Sequence, residues 1–588
     1  MPSRIEDYAI IGDCESAALV GRDGSIDWLC WPRFDSEACF AALLGSPDNG
    51  RWLIAPKDAS VRVSRRYRSN TLILETRFEG ADGAATLIDF MPIRGKSPTV
   101  VRLVAGERGR LAMRLELVLR FGFGAVVPWV TRTEDGTLRA VAGPDMVVLH
   151  TPVHLKGQNL TTVGEFTISA GETVPFILTY APSHLPAPHP VAPQDALDTT
   201  ETYWHEWASH CRPAGQWSAA VVRSLITLKA LTYKPTGGIV AAPTTSLPEQ
   251  LGGARNWDYR FCWLRDATLT LFTLLNAGYH DSAQAWNEWL LRAIAGSPDQ
   301  IQIMYGLAGE RRMIEWEAAW LPGYEGSRPV RIGNAAHLQL QLDVYGEVMD
   351  SVYLYDRWYQ PISSAHWDVI TIRAGWLCDH WDQPDEGIWE TRGGPKKFLY
   401  SQLMCWVAME RAIRLAIRRG LPADLERWRT ARDAIYRRIM DRGWSPTLKA
   451  FTQYEGGDVL DADVLLMPLV KFISPTDPKW LSTLDALTAS LVSDSLVYRY
   501  DPQASPDGVR GAEGTFSACS FWYVEALTRA GRLEEARLAF EKMLTYGNHL
   551  GLYAEQISRT GEQQGNFPQA LTHLALISAA FNLDRALG

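Results

Sequence analysis

The sequence predicts two differently built regions joined by a connector. Residues 1–195 read as an N-terminal antiparallel β-sandwich, 196–216 as a linker helix, and 217–588 as an all-α (α/α)6 barrel. Three observations carry this. Apolar and polar residues alternate through the first part. Four prolines then fall between Ala181 and Pro190. Beyond residue 216 the apolar residues return at helical spacing, in twelve segments.

The strand signal is clearest from Leu111 to Phe121. Met113, Leu115, Leu117, Leu119 and Phe121 fall on one face, and Arg114, Glu116 and Arg120 on the other. That is the period of a half-buried strand. Leu72 to Phe78 and Thr99 to Val104 read the same way. Turn sequences recur between such runs: Arg22-Asp23-Gly24, Asp48-Asn49-Gly50, Ala81-Asp82-Gly83 and Glu134-Asp135-Gly136. Many strands at this spacing suggest a sandwich. The proline-rich stretch is a stiff connector, and Leu197 to His210 reads as a helix.

The helical candidates are 218–231, 266–277, 281–295, 334–358, 365–380, 398–419, 422–442, 462–474, 478–493, 516–530, 532–546 and 567–587. Asp266 and Asp281 stand where N-caps belong, and Gly278, Gly420 and Gly531 where helices end. Twelve helices in antiparallel succession fit a toroid of six hairpins, with a plain helical bundle or solenoid as the alternative. The absence of a 30–45-residue sequence repeat argues against a regular solenoid.

Composition narrows the function classes. The formal charge is −9, with 46% hydrophobic and 21% charged residues. No basic field exists to hold nucleic acid or an anionic membrane. No run approaches the ~20 apolar residues of a membrane span, and the N-terminal residues lack the core of a signal peptide. The eight cysteines contain no Cys-x-x-Cys pair, so free thiols in a cytoplasmic protein are the plain expectation. No metal pattern and no Gly-x-Ser-x-Gly elbow is present, and neither metal nor organic cofactor is expected. The partner should be a small neutral molecule. A homo-oligomer is compatible with the sequence, which does not fix the number of copies. Of 23 tryptophans, 17 follow residue 210. Their rings can line a sugar site or fill a core.

Four loops concentrate chemistry. Arg255 to Asp266 holds Arg255, Trp257, Asp258, Tyr259, Arg260, Trp263, Arg265 and Asp266. An Arg/Asp pair beside Trp suits a polyhydroxyl ligand; a buried ion-pair network pinning a helix start reads equally well. Tyr324 to Asn334 carries Arg328 and Arg331, which suit a pocket or a solvated surface. Upstream, Glu310, Glu315 and Glu317 are site carboxylates or ion-pair partners. In Asp382 to Gly393, Glu390 follows Trp389, and a carboxyl held against that ring is desolvated and raised in pKa, as a general acid needs. Asp385 and Glu386 are rivals for the role. Glu555, in Ala554-Glu555-Gln556, is a surface carboxylate or an ionised base. Two carboxyls of opposite protonation are what glycoside hydrolysis requires.

These segments resemble glycoside hydrolase family 15, the glucoamylases, glucodextranases and prokaryotic trehalases. The likeness rests on Ile5 to Asp13 and Asp23 to Cys30 at the N-terminus, and on Arg255 to Arg260 with Trp263 to Asp266. It implies the sandwich and barrel above and hydrolysis with inversion. It implies Glu390 as general acid, Glu555 as general base, Arg265 and Asp266 as the pair holding the non-reducing glucose, and Arg328 as a further contact. Trp257, Trp263, Trp389 and Tyr305 are the expected sugar-facing aromatics. The implied reaction is exo-acting release of β-glucose from a small α-glucoside, with trehalose ahead of isomaltose or maltooligosaccharides. A sugar phosphorylase and a non-catalytic sugar-binding protein are the competing classes.

Overall fold

A computed structural model describes residues 2–134, 136–212, 215–505 and 507–588. Asp135 of one expected turn and Pro213-Ala214 of the expected linker lie outside the described residues.

The N-terminal region is a large antiparallel sheet. Its organising element is one long strand, Thr99–Val118. The first half pairs with Gly83–Phe90 and Thr173–Pro182; the second pairs with Arg51–Pro56 and Thr161–Ser169. The two expected runs at 99–104 and 111–121 are therefore one continuous strand shared between two sets of partners. Gly109 sits at the crossover with φ +57, and a Cβ there would lie 2.0 Å from Asp82 O. Only glycine fits. From residue 111 onward burial alternates as the side-chain pattern predicts, with Leu111, Met113, Leu115 and Leu117 inside. The connector ends in helix α1, Pro193–Ser209, with proline at its first turn.

The remainder is helical: α2 Ser218–Ala230, α3 Ala267–Ala277, α4 His280–Ala293, α5 Asp343–Trp358, α6 Ser364–His380, α7 Leu399–Arg419, α8 Leu425–Arg442, α9 Pro478–Leu491, α10 Ser517–Arg529, α11 Leu533–Thr545 and α12 Ala570–Leu587. Burial sorts them into two classes. Helix α7 is buried almost all round, whereas α8 buries only the stripe Trp428, Ala431, Ile435, Ile439. An all-apolar girth marks an inner element and a stripe an outer one. The inner elements pack in succession: α3 on α5, α5 on α7, α7 on the 3-10 turn Ala462–Leu466, that turn on α10, α10 on α12, and α12 back on α3. The remaining helices pack outside them.

Three helical expectations change. The segment 334–358 starts as a 3-10 turn, Ala335–Leu338, because Asn334 caps it by accepting Ala336 N–H at 3.0 Å; α5 begins only at Asp343. In 462–474 only Ala462–Leu466 is helical, since Pro468 cannot donate the next helical hydrogen bond. Asp281 lies inside the first turn of α4, whose N-cap is Tyr279. Asp266 occupies the N-cap position of α3 without capping it by its side chain. Gly278, Gly420 and Gly531 do end their helices, at φ +92, +64 and +79.

The two regions are fastened beneath the 255–266 loop. Trp28 Nε1 donates to Pro243 O at 2.8 Å. Arg260 is clamped by Asp258 through Nε and Nη2, at 2.9 and 2.7 Å. Its Nη1 donates to Ser36 O at 2.7 Å, and its guanidinium lies over Phe123. The N-terminal region thereby sets the position of Trp257, Tyr259 and Trp263.

Candidate active site

The site is assembled from three loops at one end of the helical region. The first enters from 255–266, the second from 385–392 between α6 and α7, the third from 553–569 before α12. Glu390 has φ +52, a left-handed conformation costly for a residue with a Cβ. It ends a tight turn in which its N–H donates to Gly387 O at 3.2 Å. Trp389 anchors that turn. Its Nε1 reaches both oxygens of Asp461 at 3.0 and 3.1 Å, and its ring packs on Phe516 and Trp522.

Glu390 receives Trp263 Nε1–H at 2.9 Å and Arg265 Nη1–H at 3.1 Å, both on Oε1. Its other oxygen accepts no hydrogen bond among the described residues. The side chain is 19% exposed and lines a small cavity with Tyr259, Trp263, Trp257 and Arg499. Burial pushes its pKa up, against the pull of Arg265 and Trp263. Both donors on one oxygen leave the other as the place for a proton.

Glu555 is fully buried, not on the surface. Tyr259 O–H donates to Oε1 at 2.6 Å and Asn566 N–H to Oε2 at 3.3 Å. Burial raises this carboxyl too, opposed by Tyr259, Arg499 and the Asn566 amide. Donors on both oxygens favour the anion. Tyr259 ties the two carboxyls together. Its ring meets Trp263 edge-on at 5.2 Å, and its own pKa is driven up by burial and by the charges of Glu555 and Glu390.

Arg265 also donates to Asp266 Oδ1 at 3.2 Å, so the expected pair is in contact beside Glu390. Trp257 stands at the cavity edge between two guanidiniums, Arg331 at 4.4 Å and Arg392 at 4.3 Å. Glu315 joins both arginines at 3.6 and 3.0 Å. Glu310 pairs with Arg33 and Glu317 is exposed.

Of the expected residues, Glu390, Trp257, Trp263 and Trp389 line the cavity; Arg265 and Glu555 touch its lining residues Glu390 and Tyr259, Asp266 touches Arg265, and two expected contacts stay away from it. Arg328 is exposed, its Nε donating to Pro322 O at 3.4 Å; Arg331 of the same loop turns inward instead. Tyr305 is fully buried, its hydroxyl accepting Gln302 N–H at 3.0 Å under Arg311. Its strand pairs with Cys262, so it packs behind the loop that carries Trp263.

The rival carboxyls also point elsewhere. Glu386 lies outside the cavity, half-buried. Asp385 is buried behind it and accepts Leu342 N–H at 2.9 Å. Burial pushes Asp385 up to about 8. An unfolded aspartate titrates near about 4. Its stabilising effect is therefore complete below that pH and lost as pH rises to about 8, at up to ~1.4 kcal/mol per unit. Asp385→Asn should flatten this slope, so that the variant's Tm gains on the wild type between about pH 5 and pH 8. Parallel Tm curves would exclude a neutral carboxyl here.

Sequence reasoning passed over Arg499 and Glu249. Arg499 lies over the Trp389 ring at 5.3 Å and pairs with Glu249 at 3.2 Å and with Glu513. Glu249 accepts Trp257 Nε1–H at 3.1 Å, and burial pushes it up to about 8. Arg499 does stand in a short Tyr498-Arg499-Tyr500-Asp501 run, the one local signal that could have found it, whereas Glu249 has none and is brought to the cavity by the fold.

Comparison with known proteins gives the family and the fold. Residues 215–581 match glycosyl hydrolases family 15, and 1–180 match the trehalase-like N-terminal family. A trehalase of Mycolicibacterium smegmatis is 36% identical over 99% of this chain and 91% of its own length. A trehalase of Thermoplasma volcanium is 34% identical over 99% and 94%. A bacterial glucoamylase solved with acarbose has the same fold, with a TM-score of 0.71 at 13% identity over 99% of this chain and 95% of that one. No helix among the described residues is long and apolar enough to cross a membrane. With the family match spanning the helical region and relatives aligned end to end, the chain belongs to glycoside hydrolase family 15.

Proposed function

We propose that this chain is an inverting trehalase working in the cytoplasm on an (α/α)6 barrel, with its N-terminal β-sandwich as a buttress. The closed succession of inner helices supports the barrel, and the shared long strand supports the sandwich. Eight free cysteines support a reducing compartment. The substrate reading rests on the full-length similarity to trehalases.

The observation that carries the mechanism is the Tyr259–Trp263 edge, which holds Glu555 through one hydroxyl and Glu390 through one indole N–H. Glu390, protonated on its unoccupied oxygen, donates to the glycosidic oxygen. Glu555, ionised, takes a proton from a water that attacks C1 from the opposite face. The C1–O bond breaks, and the leaving glucose departs with the proton of Glu390. Such a pair stands about 6.5–9.5 Å apart to admit the water. Arg265 and Asp266 hold hydroxyls of the glucose being cleaved, and Trp257 with its two arginines borders the leaving group.

Trehalose hydrolysis followed by NMR tests this. Early product should be α- and β-glucose in equal amounts, since only the attacked ring inverts, and isomaltose and maltose should be cleaved more slowly. Early α-glucose alone would contradict inversion, and faster turnover of maltose would move the substrate assignment.

Tyr259→Phe probes the base. Removing its O–H takes away a donor that lowers the pKa of Glu555, so the acidic limb of kcat/KM should move to higher pH. The rate should fall by about tenfold, the worth of one charge-assisted hydrogen bond. An unmoved acidic limb would detach Tyr259 from the base.

A further inference from the structure

A second cavity, of about 250 Å³, runs along the axis of the helical region from the end opposite the carboxyl pair. Its depth reads from burial. Arg265, Ile388, Tyr400 and Trp522 at its inner end are buried, while Arg357, Arg414, Lys471 and Arg585 at its mouth are exposed. The mouth lies at the C-terminal ends of α5, α10 and α12.

Two features of the lining define a ligand. The polar groups of the wall are already satisfied by one another. Tyr400 O–H donates to Glu347, Arg411 to Asp350, and Ser578 and Asn582 to Glu525. Burial pushes the Glu347 carboxyl up, against the hydrogen bonds it receives. Apart from Arg529 Nε, which is buried without a partner, the rest of the wall is largely apolar, with Leu269, Phe272, Met404, Leu466, Leu469 and Trp522. At the mouth the reverse holds. Arg357, Lys471 and Arg585 have no side-chain hydrogen bond or ion pair among the described residues. Helix ends favour one cation each, but Lys471 follows the 3-10 turn and lies on no helix. Arg414, by contrast, is paired with Glu410 at 2.7 Å and leaves no free cation there.

We propose that this cavity binds an amphiphilic organic anion. Its acid group meets Arg357, Lys471 and Arg585, and its apolar body lies along Leu269, Met404 and Trp522. The cavity ends on Arg265, whose Nη1 donates to both Ile388 O and Glu390. A bound anion therefore acts on the group that holds the proposed acid, and changes kcat more than KM.

Octanoate titrated into the full-length protein by calorimetry tests the site. It should bind saturably at one site, with acetate, octan-1-ol and octylammonium at least tenfold weaker. The triple variant Arg357→Glu/Lys471→Glu/Arg585→Glu should bind octanoate at least tenfold more weakly while hydrolysing trehalose within twofold of wild type in its absence. Arg585→Glu alone, at an exposed position of α12, should show part of that loss and serves if the triple variant does not fold. Octan-1-ol binding as tightly as octanoate, or unchanged affinity in the variants, would overturn the site. Saturating octanoate that leaves kcat unchanged would overturn its link to Arg265. An adventitious weak association shows as binding that never saturates, and also overturns it.

Discussion

Glu390→Gln should lower kcat for trehalose by about 10²–10⁴-fold, the usual worth of a positioned general acid. The glutamine carbonyl can still accept from Trp263 and Arg265, because both donors meet one oxygen only. The NH2 group then occupies the place of the proton-bearing oxygen and cannot supply that proton. KM should consequently change less than tenfold and the Tm little. A leaving group that needs no proton separates this from a merely structural loss. α-Glucosyl fluoride should be hydrolysed by the variant far closer to the wild-type rate than trehalose. If both substrates lose equally, Glu390 is not the acid; if neither loses, the mechanism fails at its first step.

How much of this was legible beforehand follows from the range of the interactions involved. The strand at Leu111–Leu117 and the stripe of α8 are local periodicities, and both survive in the fold. Helix α5 starts later than the periodicity suggests because Asn334 caps a separate 3-10 turn, Ala335–Leu338, ahead of it, and the segment after Leu466 stops because a proline outweighs its apolar pattern. The site divides in the same manner. Glu390, Trp263, Arg265 and Asp266 sit in two dense motifs, and the structure brings them into contact. Tyr305 is expected only as an aromatic and Arg328 only from the family resemblance; backbone pairing turns the first into the core and the loop turns the second outward. Arg499 shows the opposite case. Its run Tyr498-Arg499-Tyr500-Asp501 is too short to stand out beside the four longer loops. Its role comes from Glu249 and Glu513, met only after the chain has closed on itself. Burial also resolves the reading of Glu555. With the side chain at 0% exposure, a surface carboxylate is excluded, and its charge depends on Tyr259, Asn566 and Arg499.

Glu555→Ala offers the sharper discrimination. The variant should lose about 10²–10⁴-fold in kcat on trehalose, the usual worth of a positioned general base. The substitution also vacates space lined by Tyr259 O–H and Asn566 N–H, the two donors that previously held the carboxylate. A small anion such as azide fits such a space and needs no base, because it attacks as it stands. Glu390 remains to protonate the leaving oxygen. Azide should then restore turnover and give β-glucosyl azide from the α-linked substrate, one C1–O bond exchanged for one C1–N bond with inversion. The stereochemistry carries the argument. A base on the far face admits the nucleophile only from there, so the β-azide follows from the geometry. The α-azide would instead require attack from the side of Glu390 or a covalent intermediate on the enzyme, and its appearance would refute inversion. Rescue absent at every azide concentration, with trehalose turnover still near wild type, would remove Glu555 from the reaction altogether.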